Sequence, residues 1–221
     1  MEIAIILNGK ETIIPDTIIS LLIIAIVLIV FALLVNSKVK KAKFEEAPSG
    51  LLNIMELFVE TMDGMVKDNI GEKFISMSPF MLTLITLIAV SNLSGLFGLT
   101  PPTSDYGVTL TLALIVFLIV QISHIISVGG FFKYLKSLTK PYILMTPINI
   151  ISEISNPISM SFRLFGNVLS GVLITGLLYG SLGYFAPLVT PLHIYFDIFV
   201  GLLQAFIFTM LTMTLIGSAT N

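Results

Sequence analysis

Long apolar runs alternate with short polar breaks along most of this chain. The first run, over residues 15–36, is long enough to cross a bilayer core of ~30 Å, with Pro15 suited to a helix start and the basic segment SKVKKAK closing it. It reads as a retained helix and not a signal peptide, because Met1-Glu2 offers no basic start. Residues 51–72 differ. Leu51, Met55, Phe58, Met62 and Met65 mark an apolar stripe, while Glu56, Glu60, Asp63 and Lys67 recur at helical spacing on another face. The segment is too charged to span, so it is expected on the cytoplasmic surface or against a partner subunit. Two further spans are predicted over 79–99 and 108–128. Residues 142–184 stay mainly apolar past Pro147 and Pro157. At 1.5 Å per residue such a segment reaches roughly 60 Å, so it must be inclined, bent or interrupted. The last span covers 190–217. The pattern predicts an all-α polytopic membrane protein in one integral domain, 1–221, with about five crossings and one surface helix.

Lysine placement orients these spans. The loop TPPTSDYG has no basic residue and is expected outside, whereas Lys38, Lys40, Lys41, Lys43 and later Lys133, Lys136 and Lys140 sit in loops expected to be cytoplasmic. The N-terminus then lies outside and the C-terminus inside. Composition supports the class: of 221 residues 56% are hydrophobic and 11% charged, where a soluble domain carries about a quarter charged. A net charge of -2 argues against a nucleic-acid partner. With no cysteine and two histidines, neither a metal site nor a cofactor is expected.

One residue breaks the apolar pattern decisively. Arg163, the only arginine, lies inside INIISEISNPISMSFRLFGNVLSGVLITGLL. A charge at that depth costs at least ~2.5 kcal/mol, which marks a functional site whose partner has to be found. Asn156, Ser159, Asn167, Ser170 and Gly171 recur near it at helical spacing; helix packing through small and polar residues is the plainer reading of that stripe. The final span repeats the pattern with His193, Asp197, Gly201 and Gln204, expected on one face. Asp197 and Glu153 are each candidate salt-bridge partners for Arg163. In the assigned orientation Glu153 lies on the cytoplasmic side of Arg163, and His193 and Asp197 lie outward of Gln204. A fixed cation between two polar approaches suggests two half-channels with a barrier between them.

The strings SNPISMSFRLFGNVLSG and LLQAFIFTMLT resemble subunit a of the F-type ATP synthases, as do VSNLSGLFG, PTSDYGVTLTLAL, GFFKYLKS and VKDNIGEK. The resemblance covers nearly the whole chain after residue 50. It implies a bacterial plasma-membrane stator beside a rotating ring of c subunits, bound also to the peripheral-stalk subunit b and the rest of the complex, passing H+ or Na+ and doing no ATP chemistry itself. It implies Arg163 as the essential arginine, Asn167 beside it, and Gln204 facing it from the last helix. Glu153, Asp197, His193, Ser170 and Asn156 are the expected half-channel residues. The resemblance also implies a steeply tilted pair of long helices. One departure stands out. Many relatives carry an acid where this chain has Val172 and often a histidine where it has Asp197, so a carboxylate on the outer approach has changed helix. Two rivals remain at this stage: a secondary transporter in which Arg163 binds an anionic substrate, and a structural subunit whose arginine stays locked to Glu153 or Asp197.

Overall fold

A computed structural model describes residues 3–7, 10–41, 50–139, 142–182, 187 and 189–220. Lys43, Lys140 and Tyr184, which the sequence reading placed at segment ends, lie outside the described residues. The architecture is the expected helical one, with five helices among the described residues long and apolar enough to cross a membrane. One short antiparallel hairpin precedes them, β1 (Ile3–Leu7) paired with β2 (Lys10–Ile14), Ile3 opposite Ile14.

Helix α1 (Asp16–Lys41) follows Pro15, with Asp16 in its first turn and Lys38, Lys40 and Lys41 in its last, which matches the helix dipole at both ends. Only Ser20 and Ile24 of α1 are buried. It therefore presents most of its circumference to lipid, and the Thr17 hydroxyl ties it to the bundle by donating to Asp105 at 3.0 Å. Helix α2 (Leu51–Asn69) buries Met62 and Val66 at its C-terminal end and leaves Ile54, Leu57 and Phe58 exposed near its start. Ser78 donates to Asp63, which fastens α2 to the start of α3 (Ser78–Leu93).

The turn between α3 and α4 (Tyr106–Val128) runs through two short 3-10 segments, Ser94–Phe97 and Pro102–Ser104. Asp105 caps α4 by accepting from the Gly107 amide at 2.7 Å. At its other end Gly129 takes a left-handed φ of 83°, and the Gly130 amide returns to the Ile125 carbonyl, a C-cap that stops the helix sharply. The amphipathic α5 (Phe131–Leu138) follows, with Lys133 and Lys136 exposed.

Helix α6 (Thr146–Leu182) runs unbroken through the buried Pro157 for 37 residues. At 1.5 Å per residue it measures about 55 Å, far more than the ~30 Å bilayer core, so it lies inclined if it is embedded throughout. The chain ends in α7 (Thr190–Ile194), a π-helical turn (Tyr195–Val200) and α8 (Gly201–Thr220). The shared core is a bundle of α3, α4, α6 and α8, closed by the end of α2: Met81 and Ile88 meet Val116, Leu164, Phe208 and Met213. Around it the outward surfaces of α1, α4 and α6 are apolar, as lipid contact requires.

Candidate functional site

Arg163 lies in the middle of α6 with its side chain on the outer surface of the bundle, beside the exposed Ser159, Phe162 and Ser170. Among the described residues it has neither an ion pair nor a hydrogen bond. Both proposed partners are engaged elsewhere: Asp197 with His193, Glu153 with Gln121. A locked intramolecular salt bridge is thus excluded for this arrangement, and the cation faces outward on an apolar wall. Ser170 does not reach it; its hydroxyl donates to the Gly166 carbonyl of its own helix at 2.6 Å.

The polar stripe around Arg163 divides in space. Asn167 is about 40° and Gly171 about 80° further round the helix, enough to turn both toward the bundle while Arg163 stays outside. Asn167 donates to the Oε1 atom of Gln204 at 2.6 Å. Gln204 is 1% exposed, and its Nε2 has no partner among the described residues. A buried amide N–H left this way costs about 1–3 kcal/mol, so the site favours an incoming oxygen. Gln204 and Asn167 line a cavity of about 330 Å³, including its open mouth, together with Asn92, Gly171, Val172 and Asp197. Asn92 is engaged at both ends of its amide: it donates to the Gly201 carbonyl at 2.8 Å and accepts from Thr103 at 2.6 Å.

At the far end of this cavity His193 Nε2 lies 2.8 Å from Asp197 Oδ2, one helical turn apart. The Tyr179 hydroxyl from α6 stands 3.3 Å from the other ring nitrogen, Nδ1. These three groups form a continuous polar line into the cavity. Gly95 makes room for it, since a Cβ there would be 2.9 Å from Asp197 Oδ2. His193, Asp197, Gly201 and Gln204 do not act as one uniform face: Asp197 presses on Gly95 in the 3-10 turn after α3 and Gly201 on Asn92 of α3, while His193 and Gln204 reach α6. The physical reason is the π turn at Tyr195–Val200, which contains Asp197 and takes up extra chain between His193 and Gln204, so counting in α-helical steps misplaces their phase.

A second cluster lies on the other side of Arg163. Gln121 of α4 donates to Glu153 Oε2 at 2.6 Å and accepts from the Tyr134 hydroxyl of α5 at 2.7 Å. His124 packs edge-on against Tyr134, with ring centroids 4.9 Å apart. Burial first, and the Glu153 charge second, raise the Tyr134 phenol above its ordinary value, so it remains an O–H donor. Glu153 and Asn156 share a smaller cavity of about 240 Å³, open mouth included, with Pro157, Met160, Val116 and Leu215.

Sequence reasoning missed Asn92, Gly95, Thr103, Gln121, Tyr134 and Tyr179. Asn92 and Gln121 carried a usable signal, since each is an amide inside an otherwise apolar span. Gly95 and Tyr179 carried none without the packing.

A family model described as ATP synthase A chain matches residues 17–217. ATP synthase subunit a 2 of Bradyrhizobium sp. (strain BTAi1 / ATCC BAA-1182) is 40% identical over 175 residues, covering 78% of this chain and 76% of the relative. ATP synthase subunit a of Chlorobium phaeobacteroides (strain BS1) is 38% identical over 198 residues, or 82% of this chain and 58% of the relative. The sodium ion specific ATP synthase subunit a of Propionigenium modestum is 35% identical over 175 residues, or 72% and 58%. The match therefore spans little more than half the length of the last two.

Proposed function

This chain belongs to the ATP synthase A chain family, and from that premise we propose that it is the ion-translocating stator of a rotary membrane sector, in which two offset half-channels meet at Arg163 beside a ring of c subunits. The observation that carries this reading is the unpaired, outward-facing Arg163 on an apolar wall. A cation so placed needs an acid from another chain. When a ring carboxylate comes within ~4 Å, the attraction is about 4 kcal/mol at an effective dielectric near 20, equivalent to roughly three pKa units. That favours the ionised acid, so each ring carboxylate passes Arg163 only after losing its H+ or Na+. A guanidinium keeps its charge there, whereas a buried lysine sheds its proton and opens the barrier.

Gln204 and Asn167 serve the same passage: the free Nε2–H of Gln204 donates to a visiting oxygen while Asn167 holds the amide by its carbonyl. The Asp197, His193 and Tyr179 line forms the outer approach, and Glu153 with Asn156 forms the inner one. Ser170 belongs to the surface the ring sweeps. The lysine distribution supports an N-terminus outside and a C-terminus in the cytoplasm; on this reading the membrane is a bacterial plasma membrane and subunit b is among the partners. The chain handles the ion and leaves ATP chemistry to other subunits. Arg163 gives no support to an anion transporter, because it faces outward and lies outside both cavities.

The test is ion flow into proteoliposomes containing this chain with and without the c-ring. Flow that requires the ring, driven by a proton or a sodium gradient, supports the stator. Equal flow without the ring overturns it.

A further inference from the structure

The hydrogen-bonded line from α5 to α6 has a fixed direction. Tyr134 can only donate to the Gln121 carbonyl oxygen, which leaves the Gln121 N–H to donate to Glu153. Gln121 lies in an apolar helix, and both ends of its amide are used, so its two bonds replace the water it gave up. The line also restrains Glu153 without neutralising it, because an amide carries no charge. Lys133 and Lys136 on the neighbouring α5 are exposed, and neither forms an ion pair with Glu153 among the described residues. One carboxylate oxygen, Oε2, is held, while Oε1 has no partner among the described residues and the side chain borders the cavity shared with Asn156 and Met160. A free glutamate side chain loses rotamer entropy when it is ordered. Here that ordering is done in advance.

We propose that Gln121 and Tyr134 are the positioning residues of the inner approach: through Gln121 they hold Glu153 at the wall of the α4–α6–α8 cavity with one oxygen free to exchange an ion. This rests on the inner-approach role proposed above for Glu153. The positioning pair comes from two other helices, so its effect must travel through Glu153 and vanish when Glu153 cannot act.

A double-mutant cycle in the reconstituted whole complex tests this, read as ion-driven ATP synthesis per assembled complex. Gln121→Met keeps the length of the side chain and removes both bonds; it is expected to lower the rate roughly 3- to 10-fold, about one net hydrogen bond's worth. In a Glu153→Gln background the same change is expected to add nothing, since coupled residues fail additivity. Tyr134→Phe removes a single hydroxyl and carries the test if Gln121→Met impairs assembly; its drop of roughly 2-fold should also disappear in the Glu153→Gln background. Losses that multiply in the double variants overturn the proposal and assign the pair to helix packing. Wild-type rates in both Gln121→Met and Tyr134→Phe, with Glu153→Gln slow, overturn the positioning role alone. A wild-type rate in Glu153→Gln overturns the inner-approach reading, and this proposal with it.

Discussion

Asp197 and Glu153 are both acids at membrane depth, but they are held in opposite ways. Asp197 is paired with a histidine of its own chain segment, one turn away, and lies so close to Gly95 that a Cβ there would not fit, at the wall of the larger cavity. Glu153 is held at one oxygen by a neutral amide from another helix and borders open space. The first acid has a histidine ring beside it and a close neighbour at Gly95; the second is held at one oxygen through a neutral amide. What they share is that neither touches Arg163. In the function proposed above, the chain spends its own acids on the approaches and leaves the central cation for a partner.

The largest expected effect lies between the two regions. Arg163→Ala should reduce ion-driven ATP synthesis at least ~100-fold with normal complex content, as removal of a preorganised charge does elsewhere, and Arg163→Lys should also lose coupling. A near-normal rate in either variant would rule out the barrier role of Arg163. Next, Asp197→Asn and Glu153→Gln should each slow synthesis by roughly tenfold or less, because water and nearby Ser or Asn groups replace part of the function. With the solutions on the two sides varied independently, the Asp197 variant should respond to the outer ion concentration and the Glu153 variant to the inner one. A response of both to the same side breaks the comparison.

Smaller effects sharpen it. Gly95→Ala puts a methyl 2.9 Å from Asp197 Oδ2 and should turn the carboxylate off His193, lowering the rate by roughly 2- to 5-fold with the same outer-side dependence as Asp197→Asn. An unchanged rate would mean that the seat is looser than its geometry. His193→Ala should be about as mild, roughly 2- to 5-fold, since a single 2.8 Å contact with Asp197 is lost. Single cysteines should cost no activity: Ser104→Cys is expected to react with an impermeant thiol reagent from outside and Ser137→Cys only from the cytoplasm. Reversed labelling would exchange the two approaches.

How much of this was legible follows the range of each contact. The apolar runs predict the crossings directly, because a helix in lipid must satisfy its backbone alone and so declares its length in hydropathy. His193 and Asp197 are visible as a pair because one turn separates them. The Glu153–Gln121 bond spans 32 residues and the Asn92–Gly201 bond 109, so no local pattern announces either. The grouping of Arg163 with Asn167 shows a subtler limit. Residues 40° apart count as one helical face, yet the edge between lipid and bundle falls between them. The π turn escapes for a different reason: YFDIFV has nothing in its composition to distinguish it from an α-helical turn.

The glycines of the last helix bear on mechanics. In the proposed stator, a helix beside the moving ring is pushed sideways at each step, and a contact through long side chains yields by changing rotamer. At Gly201 a Cβ would already stand 3.0 Å from that of Asn92, and at Gly217 one would collide with the Asn69 carbonyl oxygen. Main chain there leans almost directly on its neighbour, where close packing leaves little to compress. Load on α8 is therefore carried into α3 near one end and into α2 near the other, which makes the last helix a braced beam that bends little under torque.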